Sequence, residues 1–187
     1  HLSIRRQRQM CIRDRLATGF SKTREHPNSG GVLDEAFRLL ARREYSQASR
    51  CFEQAAAENA GYSALCGQAL CYYKTGRLRE AIRAAQTACA QSPQRGEGHF
   101  VAGLVHKDAG RYENAVECFN RAIQFGCDRA AAIYHRAATL FLSGKLEAAE
   151  ADFEETTRIM PQSAAAFYNL GVTRVHRSRW REAAQAF

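Results

Sequence analysis

A glycine that returns at a fixed interval limits what this chain can fold into. Gly76, Gly110 and Gly144 stand 34 residues apart, and five residues after each comes an alanine: Ala81, Ala115 and Ala149. One interval further on, Ser178 takes the glycine place and Ala183 keeps the alanine. In the other direction, Tyr45 and Ala48 match Tyr112 and Ala115 after one residue is deleted between units. Each unit divides into two stretches of helical period. Leu65, Ala69 and Tyr72 share a face before the turn Lys74-Thr75-Gly76-Arg77, and Leu78, Ala81, Ile82, Ala85 and Ala88 share one after it. A helical hairpin this small cannot bury its own apolar faces, so each must lean on its neighbour.

The hairpins can be placed from the same pattern. Helix pairs are expected at about 32–42 with 45–58, on either side of Gly76 in 61–93, at 96–109 with 112–125, and at 130–143 with 146–159. Pro93 and Pro161 close two of the units, and Cys127 sits where proline ends the others, so that boundary reads as softer. A fifth unit begins near Ser163 and stops at Phe187 inside its second helix. The repeats are thus expected at 29–61, 62–95, 96–129, 130–163 and 164–187, the last truncated, within an array spanning 32–187. A solenoid normally finishes with a helix whose outer face is polar, so the truncation predicts a fragment of a longer chain. It also leaves an apolar end open to self-association.

The start of the chain does not share the period. Residues 1–15 carry five arginines against Asp14, and the run Met10–Asp14 resembles the translated end of a sequencing-library transposon. This segment is read as a sequencing-adapter artefact or a disordered basic arm, and 16–31 as a flexible lead-in containing Pro27, Asn28 and a glycine pair. Without residues 1–15 the formal charge of +8 falls to +4, too mild to argue for a polyanionic partner. No apolar run is long enough to cross a membrane, and no secretory leader is apparent. Six cysteines lie in the repeats, Cys51, Cys66, Cys71, Cys89, Cys118 and Cys127, with no C-x-x-C pair and no zinc spacing. They read as reduced, buried thiols of a cytoplasmic protein that needs neither metal nor cofactor.

The period and pattern resemble the tetratricopeptide repeat over residues 30 to 187. The residues that carry the likeness are small ones on the first helices (Ala36, Ala69, Gly103, Ala137, Gly171) and on the second (Ala48, Ala81, Ala115, Ala149, Ala183). Bulky residues after the turn (Tyr45, Leu78, Tyr112, Leu146, Trp180) and later (Phe52, Phe119, Phe153, Phe187) complete it. Small residues let helix backbones approach, and bulky ones fill the space between hairpins. The resemblance implies an all-α fold: an α-solenoid of stacked antiparallel hairpins wound into a right-handed superhelix, with the first helices lining the concave side.

The resemblance also implies a function, that of a protein–protein interaction scaffold binding a partner segment in that concave groove. The family's groove positions fall here on Tyr73, Lys74, Phe100, Leu104, Lys107, Tyr134, Phe141, Tyr168, Asn169 and Val172. Phe100, Tyr134 and Tyr168 recur at 34 residues and are expected to form an aromatic ladder along it. Two family specialisations are not matched. A clamp for the C-terminal carboxylate of chaperone tails would need lysine, asparagine and arginine where Cys66, Leu70, Val101, Ala131 and His135 stand. The asparagine row of sugar-transferase arms has a counterpart only in Asn169.

No catalytic motif is present. The acidic group Glu147, Glu150, Asp152, Glu154 and Glu155 reads as a solvated helix face, and His99, His106, His135 and His176 as packing or surface residues. No enzyme is expected in this chain. Two alternatives stay open: a targeting arm for an enzyme whose catalytic domain lies beyond Phe187, and an RNA-binding helical repeat. The turn K-T-G-R-L-R-E-A also resembles the pentatricopeptide repeat, although a polar base-reading row is missing and nucleic acid is the less favoured partner.

Overall fold

The computed structural model describes residues 30–58 and 61–186. The readings given for residues 1–29 lie outside the described residues. Among the described residues ten α-helices follow one another: α1 (Gly30–Ala41), α2 (Tyr45–Ala57), α3 (Gly61–Lys74), α4 (Leu78–Gln91), α5 (Gly96–Asp108), α6 (Tyr112–Gln124), α7 (Arg129–Leu142), α8 (Leu146–Ile159), α9 (Ala164–His176) and α10 (Trp180–Ala186). Each odd-numbered helix packs against the even-numbered one that follows, and each hairpin packs against the next. Among the described residues the fold is all-α, a solenoid of stacked hairpins.

The turns explain the repeating glycine. Gly76, Gly110 and Gly144 have φ of 78°, 72° and 79°, the left-handed conformation that closes a helix at little cost only when no Cβ is present. At the equivalent places Arg43 (φ 63°) and Ser178 (φ 58°) adopt it too. The same backbone bond follows in all five units. The amide after the turn residue reaches back to a carbonyl five residues earlier: Glu44 to Leu39, Arg77 to Tyr72, Arg111 to His106, Lys145 to Leu140 and Arg179 to Arg174, at 2.8–2.9 Å. At the boundary without proline, Gly126 (φ 77°) ends α6, and the Cys127 amide bonds the Ala122 carbonyl at 3.0 Å.

Small residues set how closely the helices approach. Ala48, Ala81, Ala115 and Ala149 are wholly buried, and so are Ala36, Ala69 and Ala137. A Cβ placed on Gly67 would come within 2.4 Å of the Phe52 ring, and one on Gly103 within 2.7 Å of the Phe119 ring. Phe52, Phe119 and Phe153 are buried as the interhelical fillers. Of the bulky residues after the turns, Tyr45, Leu78, Tyr112 and Leu146 are half-buried and Trp180 is 63% exposed. The core falls into two clusters that meet in α7. Ala131 and Ala132 join the cluster running back to Ala36, whereas Ala137 and Leu140 join Ala149, Phe153, Leu170 and Ala186.

Candidate partner-binding groove

Along the first helices, side chains stitch each unit to the next with a constant offset. The Tyr62 hydroxyl donates to Glu97 Oε2 at 2.9 Å, the Tyr73 hydroxyl to Asp108 Oδ2 at 2.7 Å, and Asn169 Nδ2 donates to the Tyr134 hydroxyl at 2.8 Å, each pair 35 residues apart. Two ring contacts keep the same offset: Phe100 with His135 at 5.5 Å and Phe141 with His176 at 5.1 Å, both edge-to-face. These contacts tie α3 to α5, α5 to α7 and α7 to α9, and fix the register of the face those helices share.

The ten residues expected to line a groove separate by burial. Phe100 and Leu104 are each 1% exposed, so the expectation that they line an open surface is corrected. Phe100 lies under His135 and beside Phe119, which close over it from the next helices. Tyr73, Lys74, Lys107, Tyr134, Phe141, Asn169 and Val172 are half-buried, and Tyr168 is 60% exposed. The three rings expected to form an even ladder therefore run from covered, through half-covered, to exposed. Burial pushes the Tyr73 hydroxyl up in pKa, helped by the Asp108 carboxylate, and burial raises Tyr134 against the bond from Asn169.

His135, read from the sequence as a packing or surface residue, packs among the rings of this face. Its ring lies 5.3 Å from Tyr134 edge-to-face and 6.1 Å from Phe119 nearly parallel. Burial drives its pKa down to about 3, and the ammonium groups of Lys107 and Lys74 push the same way against Asp108. The imidazole is neutral at physiological pH. Lys107 pairs with Asp108 at 2.8 Å, and the Lys74 ammonium lies 5.1 Å from the centre of the Tyr73 ring. Burial raises the Asp108 carboxyl, but bonds from Lys107 and Tyr73 outweigh it and hold the group below the usual range.

A second set of charges corrects the reading of α8 as a solvated acidic face at two of its five carboxylates, while Glu147 stays exposed and Glu154 and Glu155 are half-buried. Glu150 and Asp152 are buried, because guanidinium groups from neighbouring helices meet them. Arg136 grips both Asp152 oxygens at 2.7 Å and also reaches Asn120 Oδ1 at 2.7 Å. Glu150 accepts from Arg174 at 2.9 Å, from Arg179 at 2.7 Å and from Arg177. Burial pushes its carboxyl up, and these three arginines overcome that and hold it below the carboxylate range. The only sequence signal was the spacing of the arginines in Arg174–Arg181 opposite an acidic helix.

The six cysteines among the described residues are free thiols, and Cys66 and Cys71 are buried. Burial raises Cys71 to about 12. Among the described residues no group of three or more histidine, cysteine or acidic side chains could hold a metal ion, and no helix is long and apolar enough to cross a membrane.

The tetratricopeptide repeat family model matches residues 33–96, 69–132, 100–163 and 139–187, together nearly the whole of the described array. The chain belongs to the tetratricopeptide repeat family. It is 25% identical over 177 residues to anaphase-promoting complex subunit 3 of Schizosaccharomyces pombe, an alignment covering 86% of this chain. The chain spans about a quarter, 26%, of that relative's length. Solved structures share the fold. TTC0263, a thermophilic tetratricopeptide repeat protein of Thermus thermophilus, superposes with a TM-score of 0.73 at 21% identity, over 84% of this chain and 87% of that one. MamA from Desulfovibrio magneticus superposes with a TM-score of 0.73 at 16% identity, over 87% and 92%.

Proposed function

We propose that this tetratricopeptide repeat chain is a protein-interaction scaffold. Its groove receives an extended or helical segment of a partner protein, and it performs no chemistry of its own. The observation that carries the reading is the row of side chains along the first helices, Tyr73, Lys74, Lys107, Tyr134, Phe141, Asn169 and Val172, half-buried and followed by exposed Tyr168. Side chains already held by the next repeat lose little rotamer freedom when a partner docks. Tyrosine in particular offers a large rigid contact with a polar tip. The name of the Schizosaccharomyces pombe relative, a subunit of a complex, accords with a scaffolding role. Six free thiols suit the reducing cytoplasm as its compartment.

The test is selection of peptides from a displayed library on the immobilised chain, followed by measurement of their affinity for Tyr168→Ala. Tyr168→Ala is expected to keep the helical circular dichroism of the parent while weakening groove-bound peptides by about fivefold or more. Selected peptides that bind the variant as tightly as the parent refute the groove.

A further inference from the structure

Of the six cysteines among the described residues, one is paired with a base. Cys89 stands near the end of α4, half-buried, and its sulfur lies 3.5 Å from Nδ1 of His99 on α5. Nε2 of the same imidazole lies 3.2 Å from the Pro93 carbonyl oxygen. A carbonyl can only accept, so the proton of a neutral imidazole sits on Nε2, and Nδ1 presents its lone pair to the Cys89 thiol. The ring is held in that pose. His99 is 8% exposed, and its ring centre lies 5.6 Å from that of Phe125. Gly98 lets the α5 backbone come up against the sulfur, since a Cβ there would stand within 2.9 Å of it. Nucleophile, base and a third group that orients the base are thus in hydrogen-bond reach of one another.

We propose that Cys89 is a site of reversible thiol modification, with His99 as its base and a low-molecular-weight disulfide as its co-reactant. The Cys89 thiol gives its proton to His99 Nδ1 as the sulfur attacks one sulfur of the disulfide. A mixed disulfide forms at Cys89, the original S–S bond breaks, and the departing thiolate takes the proton from His99 to leave as a free thiol. The Pro93 carbonyl accepts from Nε2–H throughout and steadies the imidazolium that exists between the two transfers. The exchange modifies each chain once rather than turning over, and a second thiol reverses it. The other cysteines lack this arrangement. Cys66 and Cys71 are buried, while Cys51, Cys118 and Cys127 are half-buried like Cys89 but bond no histidine among the described residues. Burial raises the Cys118 thiol to about 11 and the Cys127 thiol to about 12, so neither supplies much thiolate near neutrality. Burial raises the Cys89 thiol as well, against the pull of the Arg121 guanidinium. A thiol kept protonated in this way reacts when a neighbouring group takes its proton, and the His99 geometry supplies that group.

The experiment exposes the full chain, under native conditions, to glutathione disulfide for a series of times, quenches with acid and locates the mixed disulfide by peptide mass mapping. Cys89 is expected to be modified first, several-fold faster than Cys51, Cys118 or Cys127, and dithiothreitol should remove the adduct. Reaction at Cys89 that is no faster than at those three overturns the proposal, and that result needs no variant. In His99→Gln, checked by circular dichroism for the helicity of the parent, the Cys89 rate near pH 7 should fall by about tenfold or more. The pH profile should change with it. The variant rate should climb by about tenfold per pH unit, as thiolate chemistry without a base does, whereas the parent rate should rise less steeply. A variant with the rate and pH profile of the parent removes His99 as the base and overturns the proposal. If the variant loses its helicity, the parent profile decides alone: a climb of about tenfold per pH unit there refutes base assistance, and a shallower one supports it.

Discussion

Replacing Glu150 with glutamine should detach the last described hairpin from the rest of the array. Glu150 is 2% exposed on α8, and its carboxylate is met by Arg174 of α9 and by Arg177 and Arg179 of the turn after it. Glutamine keeps the shape and some acceptor capacity but removes the charge. A hydrogen bond to a charged group is worth about 1.5–3 kcal/mol and a neutral one about 1, so three weakened bonds set an upper limit of about 6 kcal/mol. The arginines are not left alone, because Arg174 also holds Glu154 at 2.7 Å, Arg177 holds Glu147 at 3.1 Å and Arg179 holds Glu182 at 3.2 Å. They are also partly open to water, which reduces each contribution further. The expected loss is about 2 kcal/mol.

The loss should be local, since each unit of a solenoid touches only its neighbours. Urea melts followed by circular dichroism read the total, guanidinium being unsuitable because its ions screen the very pairs under test. Amide exchange reads the place: α9 and α10 should lose protection while α3 to α6 keep theirs. Acidity supplies a further check. A carboxyl whose folded pKa is depressed adds stability that is full above its unfolded value, near 4.3, and is lost as pH falls through the folded value. The gap between parent and Glu150→Gln should therefore close as pH drops below about 4. A loss under about 0.5 kcal/mol at neutral pH, or protection lost evenly along the chain, refutes the argument.

Other outcomes follow from the same geometry. Arg43→Gly and Ser178→Gly relieve left-handed backbone and should each raise stability by about 0.5–1 kcal/mol in urea melts, after the larger freedom of the unfolded chain is deducted. Gly103→Ala drives a methyl into the Phe119 ring and should cost about 1–3 kcal/mol by the same measurement. The His135 ring resonances should not titrate between about pH 8 and 5. Because its folded pKa lies below its unfolded one, the stability it contributes is intact above about 6.5 and declines as the solution is acidified toward its folded value. Native alkylation with iodoacetamide should spare Cys66 and Cys71 until the chain unfolds, since thiols buried and raised in pKa offer little thiolate.

The fold was legible because it is set by residues acting within one turn or across one hairpin. A glycine needed for left-handed φ, an alanine where two backbones meet and a ring to fill the gap behind it all declare themselves at a fixed spacing. Even the exceptions kept their register: Arg43 and Ser178 hold the glycine's conformation because the bond that follows the turn demands it. The groove was less legible, because exposure at a given position depends on what the next repeat brings to it. Phe100, Tyr134 and Tyr168 share one position and one residue class, yet His135 covers the first and Asn169 ties down the second. Their different burial is written 35 residues away rather than at the rings themselves. The acidic face of α8 misled for the same reason. A row of carboxylates shows that a helix side is not apolar, but whether water or guanidinium meets it is decided by the neighbouring hairpins. In a repeat array the period thus fixes each hairpin, while the side chains that depart from the period, His135, Arg136 and Arg174 among them, decide which positions of the shared face stay open to a partner.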